Sequence, residues 1–156
     1  MAEAKKTQTA AAPGVTVDPY RAYYFKIYIG GTVQGGFTQC SDFGIRVDCI
    51  RYAEGGDIVE RKVQGRVHYD DVTLQYGLSD SLELWGWMQS LVAGPTPTPR
   101  KNVSIVVMDA AGTTEKVRWT LYNAWPKSWR AAPLNTMSSV IAIETLELCY
   151  EHLDRQ

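Results

Sequence analysis

The sequence predicts a mostly β domain with one helix, built on a sheet that a single copy cannot finish. Three observations predict it. Residues 102–108 alternate, with Val103, Ile105 and Val107 on one side and Ser104, Val106 and Met108 on the other. The turn residues Asp109-Ala110-Ala111-Gly112 lead into a second long run, 115–129, rich in β-branched and aromatic side chains. A third run covers 138–153. Strands this long, apolar on both faces, present more surface than 156 residues can cover. Part of the sheet is therefore expected to be completed by other copies of the same chain.

Along the chain, residues 1–17 are small and polar and include Pro13-Gly14, which predicts a flexible arm ahead of a domain spanning 18–156. Residues 23–29 alternate as a strand, Gly30-Gly31 turns it, and 33–39 return as a hairpin with a bulge at Gly35-Gly36. A further strand is expected over 42–53. Residues 54–65 then form a charged excursion carrying Glu54, Asp57, Glu60, Arg61 and Lys62, and 72–78 are again strand-like. Asp80 and Glu83 have the spacing of a capping box, and Leu84, Trp87, Met88 and Leu91 make one apolar helical stripe. Gly94 and the prolines 95, 97 and 99 end that helix. Leu82 and Trp85 lie off the stripe and hint at a second contact surface. In the 115–129 run, Trp119, Leu121, Asn123 and Trp125 are expected on one face, Thr120, Tyr122 and Ala124 on the other, with Pro126 bending or ending the strand. Residues 144–153 fit both helix and strand, although Val140-Ile141-Ala142-Ile143 favours strand where the segment begins.

The composition excludes several functions. Sixteen basic and 17 acidic residues give a formal net charge of −1, so there is no basic excess for nucleic acid or anionic membrane. No run approaches a membrane span, and the first 17 residues lack the apolar core of a signal peptide, which points to folding in the cytoplasm. Cys40, Cys49 and Cys149 form no CxxC pair and are expected as reduced thiols. His68 and His152 lack metal-ligand spacing, and the glycines of 30–36 are followed by Phe37-Thr38, where a phosphate loop needs Lys-Ser/Thr. There is no GxSxG elbow. No catalytic, cofactor or metal site is expected. The five tryptophans, Trp85, Trp87, Trp119, Trp125 and Trp129, are assigned to core and interface packing.

The ordered segments Asn123-Ala124-Trp125-Pro126-Lys127-Ser128-Trp129, Leu134-Asn135, Ala142-Ile143-Glu144-Thr145-Leu146-Glu147-Leu148 and Tyr150-Glu151-His152-Leu153 closely resemble the carboxyl end of the tail tube proteins. These build the inner tube of contractile phage tails and of extracellular contractile injection systems. Asp18-Pro19-Tyr20-Arg21, the segment from Tyr52 to Asp57 with 61–65, the helix region 78–87 and the strand start at 100–105 match in the same order. The resemblance implies a β-sandwich or split barrel with one flanking helix, six subunits in a ring, and rings stacked into a hollow tube. It implies strand for the ambiguous last segment. It also implies further copies of the chain, a sheath protein, baseplate and terminator or cap proteins, and protein or DNA cargo in the lumen as partners, with residence in a phage-tail-like particle. The isolated subunit is not expected to bind membrane. Glu54, Asp57, Glu60, Arg61 and Lys62 are the candidates for ring-on-ring contact, because mixed charges fix register reversibly. Other readings stay open: an effector-carrying ring protein of a related secretion system, a tube-initiating ring at the baseplate, and, more remotely, a small-ligand-binding β-barrel.

Overall fold

The structure is a computed structural model that describes residues 19–56, 58–94 and 99–156. The expected arm over 1–17, Asp57 and most of the proline-spaced linker lie outside the described residues. Ten strands and one helix follow in the order β1 (Phe25–Ile29), β2 (Thr32–Gln34), β3 (Phe37–Cys40), β4 (Ile45–Tyr52), β5 (Arg61–Tyr69), β6 (Val72–Gly77), α1 (Glu83–Val92), β7 (Lys101–Met108), β8 (Glu115–Arg130), β9 (Ile143–Cys149) and β10 (His152–Arg155).

The long β8 organises the rest. Its first half lies between β7 and β10, and its second half pairs with β9. The main sheet runs β2-β1-β7-β8-β9-β6-β3, and β4 with β5 forms a separate two-stranded ladder. Ile27, Val103 and Leu121 from the first half and Val72, Leu74, Leu146 and Leu148 from the second are wholly buried in one cluster. The two halves therefore pack face to face as a sandwich, and the sheets do not close into a barrel within one copy.

Two features of β8 depart from simple alternation. Asn123 adopts φ 54°, and three residue steps on β8 (Leu121 to Ala124) face two on β7 (Val103 to Lys101). This is a bulge, and it flips the inward side: Val117 and Leu121 are buried before it, Ala124 and Pro126 after it. The expected grouping of Leu121 with Asn123 and Trp125 on one face is thus corrected. The Asn123 side chain donates to Glu151 Oε2 at 2.9 Å, and its backbone N–H donates to Asn102 Oδ1 at 3.2 Å, which holds the left-handed residue in place. Pro126 does not end the strand. It sits fully buried opposite Leu148, and the register slips once before Ser128.

The third sequence run, 138–153, divides into β9 and β10 at a bend through Tyr150 and Glu151, following the change in β8. The ambiguous segment is strand. The 33–39 return strand also divides: β2 stays with β1, and Gly36, at φ 85°, redirects the chain so that β3 joins β6. The helix is where the stripe places it, with Trp87 buried and Leu84, Met88 and Leu91 half-buried. Its start differs from expectation. Leu82 is the N-cap, without a side-chain cap bond, and Glu83 is the first helical residue. Ser79 Oγ instead accepts the Ser81 N–H, a local turn that leaves Asp80 outside the capping position.

Candidate assembly surface

The β4–β5 hairpin projects its strands away from the core. Every residue of β4 is exposed, and of the two strands only Tyr69, the last residue of β5, packs against the buried cluster. By strand alternation Ile45, Val47 and Cys49 share one side, and Ile50 and Tyr52 the other, with Val67 opposite Val47 and Val63 opposite Ile50. All of these apolar side chains are exposed. A two-stranded hairpin is marginal alone in water, and exposed apolar surface of this extent marks a contact site.

What anchors the hairpin lies at its base. Asp70 N–H donates to Gly44 O at 3.0 Å, Tyr69 Oη lies 3.0 Å from His152 Nδ1, and His68 Nε2 lies 2.8 Å from Asp48 Oδ2 across the ladder. A register shift near Gly65 brings that residue against Asp48: a Cβ there would stand 2.9 Å from Asp48 Cβ and 3.0 Å from its carbonyl oxygen. Sequence reading gave Gly65 no role beyond the end of a loop, because the clash exists only across the ladder.

The 54–65 excursion is in fact the tip of this hairpin plus the start of β5. Arg61 and Lys62 open β5 opposite Tyr52 and Arg51. Glu60 pairs with Arg51 at 3.7 Å, and Glu54 accepts from Tyr52 Oη at 3.2 Å. Asp57 lies outside the described residues. The hairpin thus holds four of the five candidate contact residues on one projecting element. A second exposed apolar segment was not singled out from the sequence: in residues 131–142, Leu134, Met137, Val140 and Ile141 are all at least 76% exposed. The expectation that Val140 and Ile141 begin a strand is corrected: β9 starts at Ile143, and both side chains lie exposed ahead of it.

The tryptophans hold the body together to different degrees. Trp87 is buried and its indole N–H donates to Pro99 O at 2.8 Å, with the Lys101 ammonium 5.3 Å from its ring centre. Trp129 donates to Tyr76 Oη at 3.1 Å and meets Trp85 edge-on at 4.6 Å, tying α1 to β8. Trp119 meets Phe43 edge-on at 5.6 Å. Trp125 is half-buried in β8. Trp85, off the helical stripe, keeps 39% of its surface exposed.

The titratable groups form structural pairs. Lys127 Nζ lies 2.6 Å from Asp71 Oδ2 and 3.6 Å from Glu147 Oε1, and the Lys127 hydrogen bond holds the Asp71 carboxyl below its ordinary range. All three cysteines are free, and burial pushes the Cys40 and Cys149 thiols up to about 11, the opposite of what a thiolate nucleophile needs. A cleft of about 720 Å³ lies between α1 and the β1–β2 hairpin, lined by Thr32, Gln34, Glu83, Ser90 and Lys101 among others. Among the described residues no group of three or more His, Cys, Asp or Glu is placed to hold a metal ion, and no helix is long and apolar enough to cross a membrane.

Comparison with known proteins gives a consistent answer. The chain's fold is similar to that of the cap of the anti-feeding prophage (the AFP tube terminating cap), with 23% identity, TM-score 0.85, and 96% of this chain and 99% of that one covered. It is similar to a chain of the sheath-tube complex of the PVC extracellular contractile injection system in the extended state, with 25% identity, TM-score 0.81, and coverage of 88% and 91%. It also resembles Hcp1 from Flavobacterium johnsoniae at 12% identity and TM-score 0.52, covering 85% and 94%. No curated protein sequence matches. The family model described as T4-like virus tail tube protein gp19 matches residues 21–154, nearly the whole described domain. The chain therefore belongs to the T4-like virus tail tube protein family.

Proposed function

We propose that this tail tube protein closes with five further copies into a ring, and that rings stack into the hollow inner tube of a contractile injection particle. The observation that carries the reading is the β4–β5 hairpin: a ladder of exposed apolar residues that, among the described residues, nothing in its own chain covers. A head-to-tail contact whose rotation closes makes a ring, and a second axial contact makes a filament. Closure also removes the open strand edges that would otherwise promote aggregation. Glu54, Glu60, Arg61 and Lys62, at the hairpin tip and the start of β5, together with Asp57, are the axial contacts between rings, where mixed charge sets register without permanent adhesion.

The role is mechanical, and no reaction is assigned to the chain. Its partners are further copies of itself, an outer sheath, and the proteins at the two ends of the tube; relatives of this fold come from a sheath-tube complex, a terminating cap and a baseplate. Native mass spectrometry of the purified chain tests ring closure. Masses at six times the 17.4 kDa subunit and its multiples support the reading. A monomer or dimer at every concentration overturns it.

A further inference from the structure

One strand belongs to both halves of the main sheet, and it changes partners at a single corner. Up to Tyr122, β8 lies between β7 and β10; beyond Ala124, among the described residues, it pairs only with β9. β9 gives way to β10 beside this point, where the Glu151 N–H donates to Tyr122 O at 3.0 Å. β8 carries an extra residue on each side of the change. The first belongs to the bulge at Asn123. The second is Lys127, where the two steps from Pro126 to Ser128 face the single step from Leu148 to Glu147. A bulge bends the strand that carries it and increases its twist, and two so close together compound the turn.

Four side chains fasten the corner. Asn123 Nδ2 donates to Glu151 Oε2 at 2.9 Å, Asn102 Oδ1 accepts the Asn123 N–H at 3.2 Å, and Arg100 pairs with the other carboxylate oxygen of Glu151. They come from the start of β7, from β8 and from the β9–β10 bend, so the clasp joins the segments that meet there. Arg100, Asn123 and Glu151 are exposed, and exposed ion pairs add little stability. A left-handed residue other than glycine costs energy, and strain held at an exposed position marks a geometric task.

We propose that this corner sets how many copies close the ring, a deepening of the ring reading on which it rests. The open edge of β8 begins directly after the corner, so a neighbour docking along it takes its angle from there. In a head-to-tail ring, the rotation from copy to copy is the angle between a subunit's two contact surfaces. Closure needs about 60° per copy for six, about 51° for seven and about 72° for five. A corner that yields by about 10° therefore changes the count, and the clasp of Arg100, Asn102, Asn123 and Glu151 holds it within that margin.

Ring size in two variants tests the assignment. Glu151→Ala removes both side-chain bonds at the bend, and Asn123→Gly keeps the left-handed backbone while deleting the tether. Ile27→Val, in the buried core on β1, is the control for lost stability alone. Rings are counted in end-on electron micrographs and by native mass spectrometry, with circular dichroism to show that each chain is folded. Parent and control should give six-fold rings alone, and the corner variants a mixture that includes five- or seven-fold rings. Six-fold rings alone from both corner variants, at any yield, overturn the assignment. Folded corner variants that form no rings while the parent does overturn it equally, because the corner then serves contact and not count. Mixed sizes from Ile27→Val as well would place the control of ring size outside the corner and also overturn it. If the parent itself forms no ring, the ring reading has failed.

Discussion

Gly65→Ala separates the hairpin from the body of the protein. The added methyl would lie 2.9 Å from Asp48 Cβ, 3.0 Å from the Asp48 carbonyl oxygen and 3.3 Å from Ile50 Cγ1. Two of these belong to the Asp48 backbone or are fixed directly to it, so the ladder must spread to admit the methyl. Overpacking of this kind costs about 1–3 kcal/mol. That corresponds to about a 5- to 150-fold shift toward the opened hairpin, and a two-stranded ladder has little stability in reserve. Hydrogen exchange on unassembled protein reads it: amides of β4 and β5 should exchange faster by that factor, while those of β7 and β8 keep their protection. The main thermal transition should stay in place, because only Tyr69, at the base of the hairpin and four residues from the clash, packs against the buried cluster. Unchanged exchange in the hairpin would refute the steric argument. A large fall in the melting temperature would refute the claim that the hairpin is energetically separate. Tube assembly by the same variant should weaken, because the surface it presents is no longer held in shape.

Other perturbations have equally definite outcomes. Leu121→Ala empties a fully buried site between the sheet halves and should cost about 2–5 kcal/mol in chemical denaturation. Asn123→Ala forces an ordinary side chain into φ 54° and breaks the bond to Glu151, so it should destabilise by about 1–3 kcal/mol, and Asn123→Gly by less. Arg61→Glu with Lys62→Glu should leave the monomer's stability nearly unchanged and prevent ring stacking in electron micrographs; unchanged tubes would defeat the axial-contact assignment. Asp71 titrates below its ordinary value because of Lys127, so the pair stabilises the fold above about pH 4, and this is lost as pH falls through the folded pKa. Lys127→Met should therefore lower the denaturation midpoint at neutral pH, with the deficit shrinking below about pH 4; a deficit constant across pH would show that the ion pair is not its cause.

Most of the strands, and the helix, were legible because each carries its own periodicity. Leu84, Trp87, Met88 and Leu91 mark the buried stripe of α1, and Val103 and Ile105 mark the inward side of β7. The sequence misled where geometry depends on a distant partner. Alternation along β8 breaks at Asn123, where Asn102 and Glu151 stabilise a left-handed residue that local pattern has no means to signal. Pro126 reads as a strand breaker, yet it stays in the strand at a register slip where β8 pairs with β9 alone. Asp80 and Glu83 have capping spacing, but a turn at Ser79 moves the start of the helix. Of the assembly surface, the charged tip was visible as an unusual polar stretch. The Gly65 contact and the exposed apolar faces of β4 and β5 were not, because alternating apolar residues read the same in a buried strand and in one awaiting a partner.

The central claim, that one copy is an unfinished piece of a tube wall, is tested most directly by imaging purified protein at rising concentration, alone and with its sheath protein. The account predicts annular particles with six-fold symmetry and a stain-filled centre, lengthening into tubes as concentration rises. Particles of single-subunit size throughout, with the sheath protein present as well as absent, would contradict it.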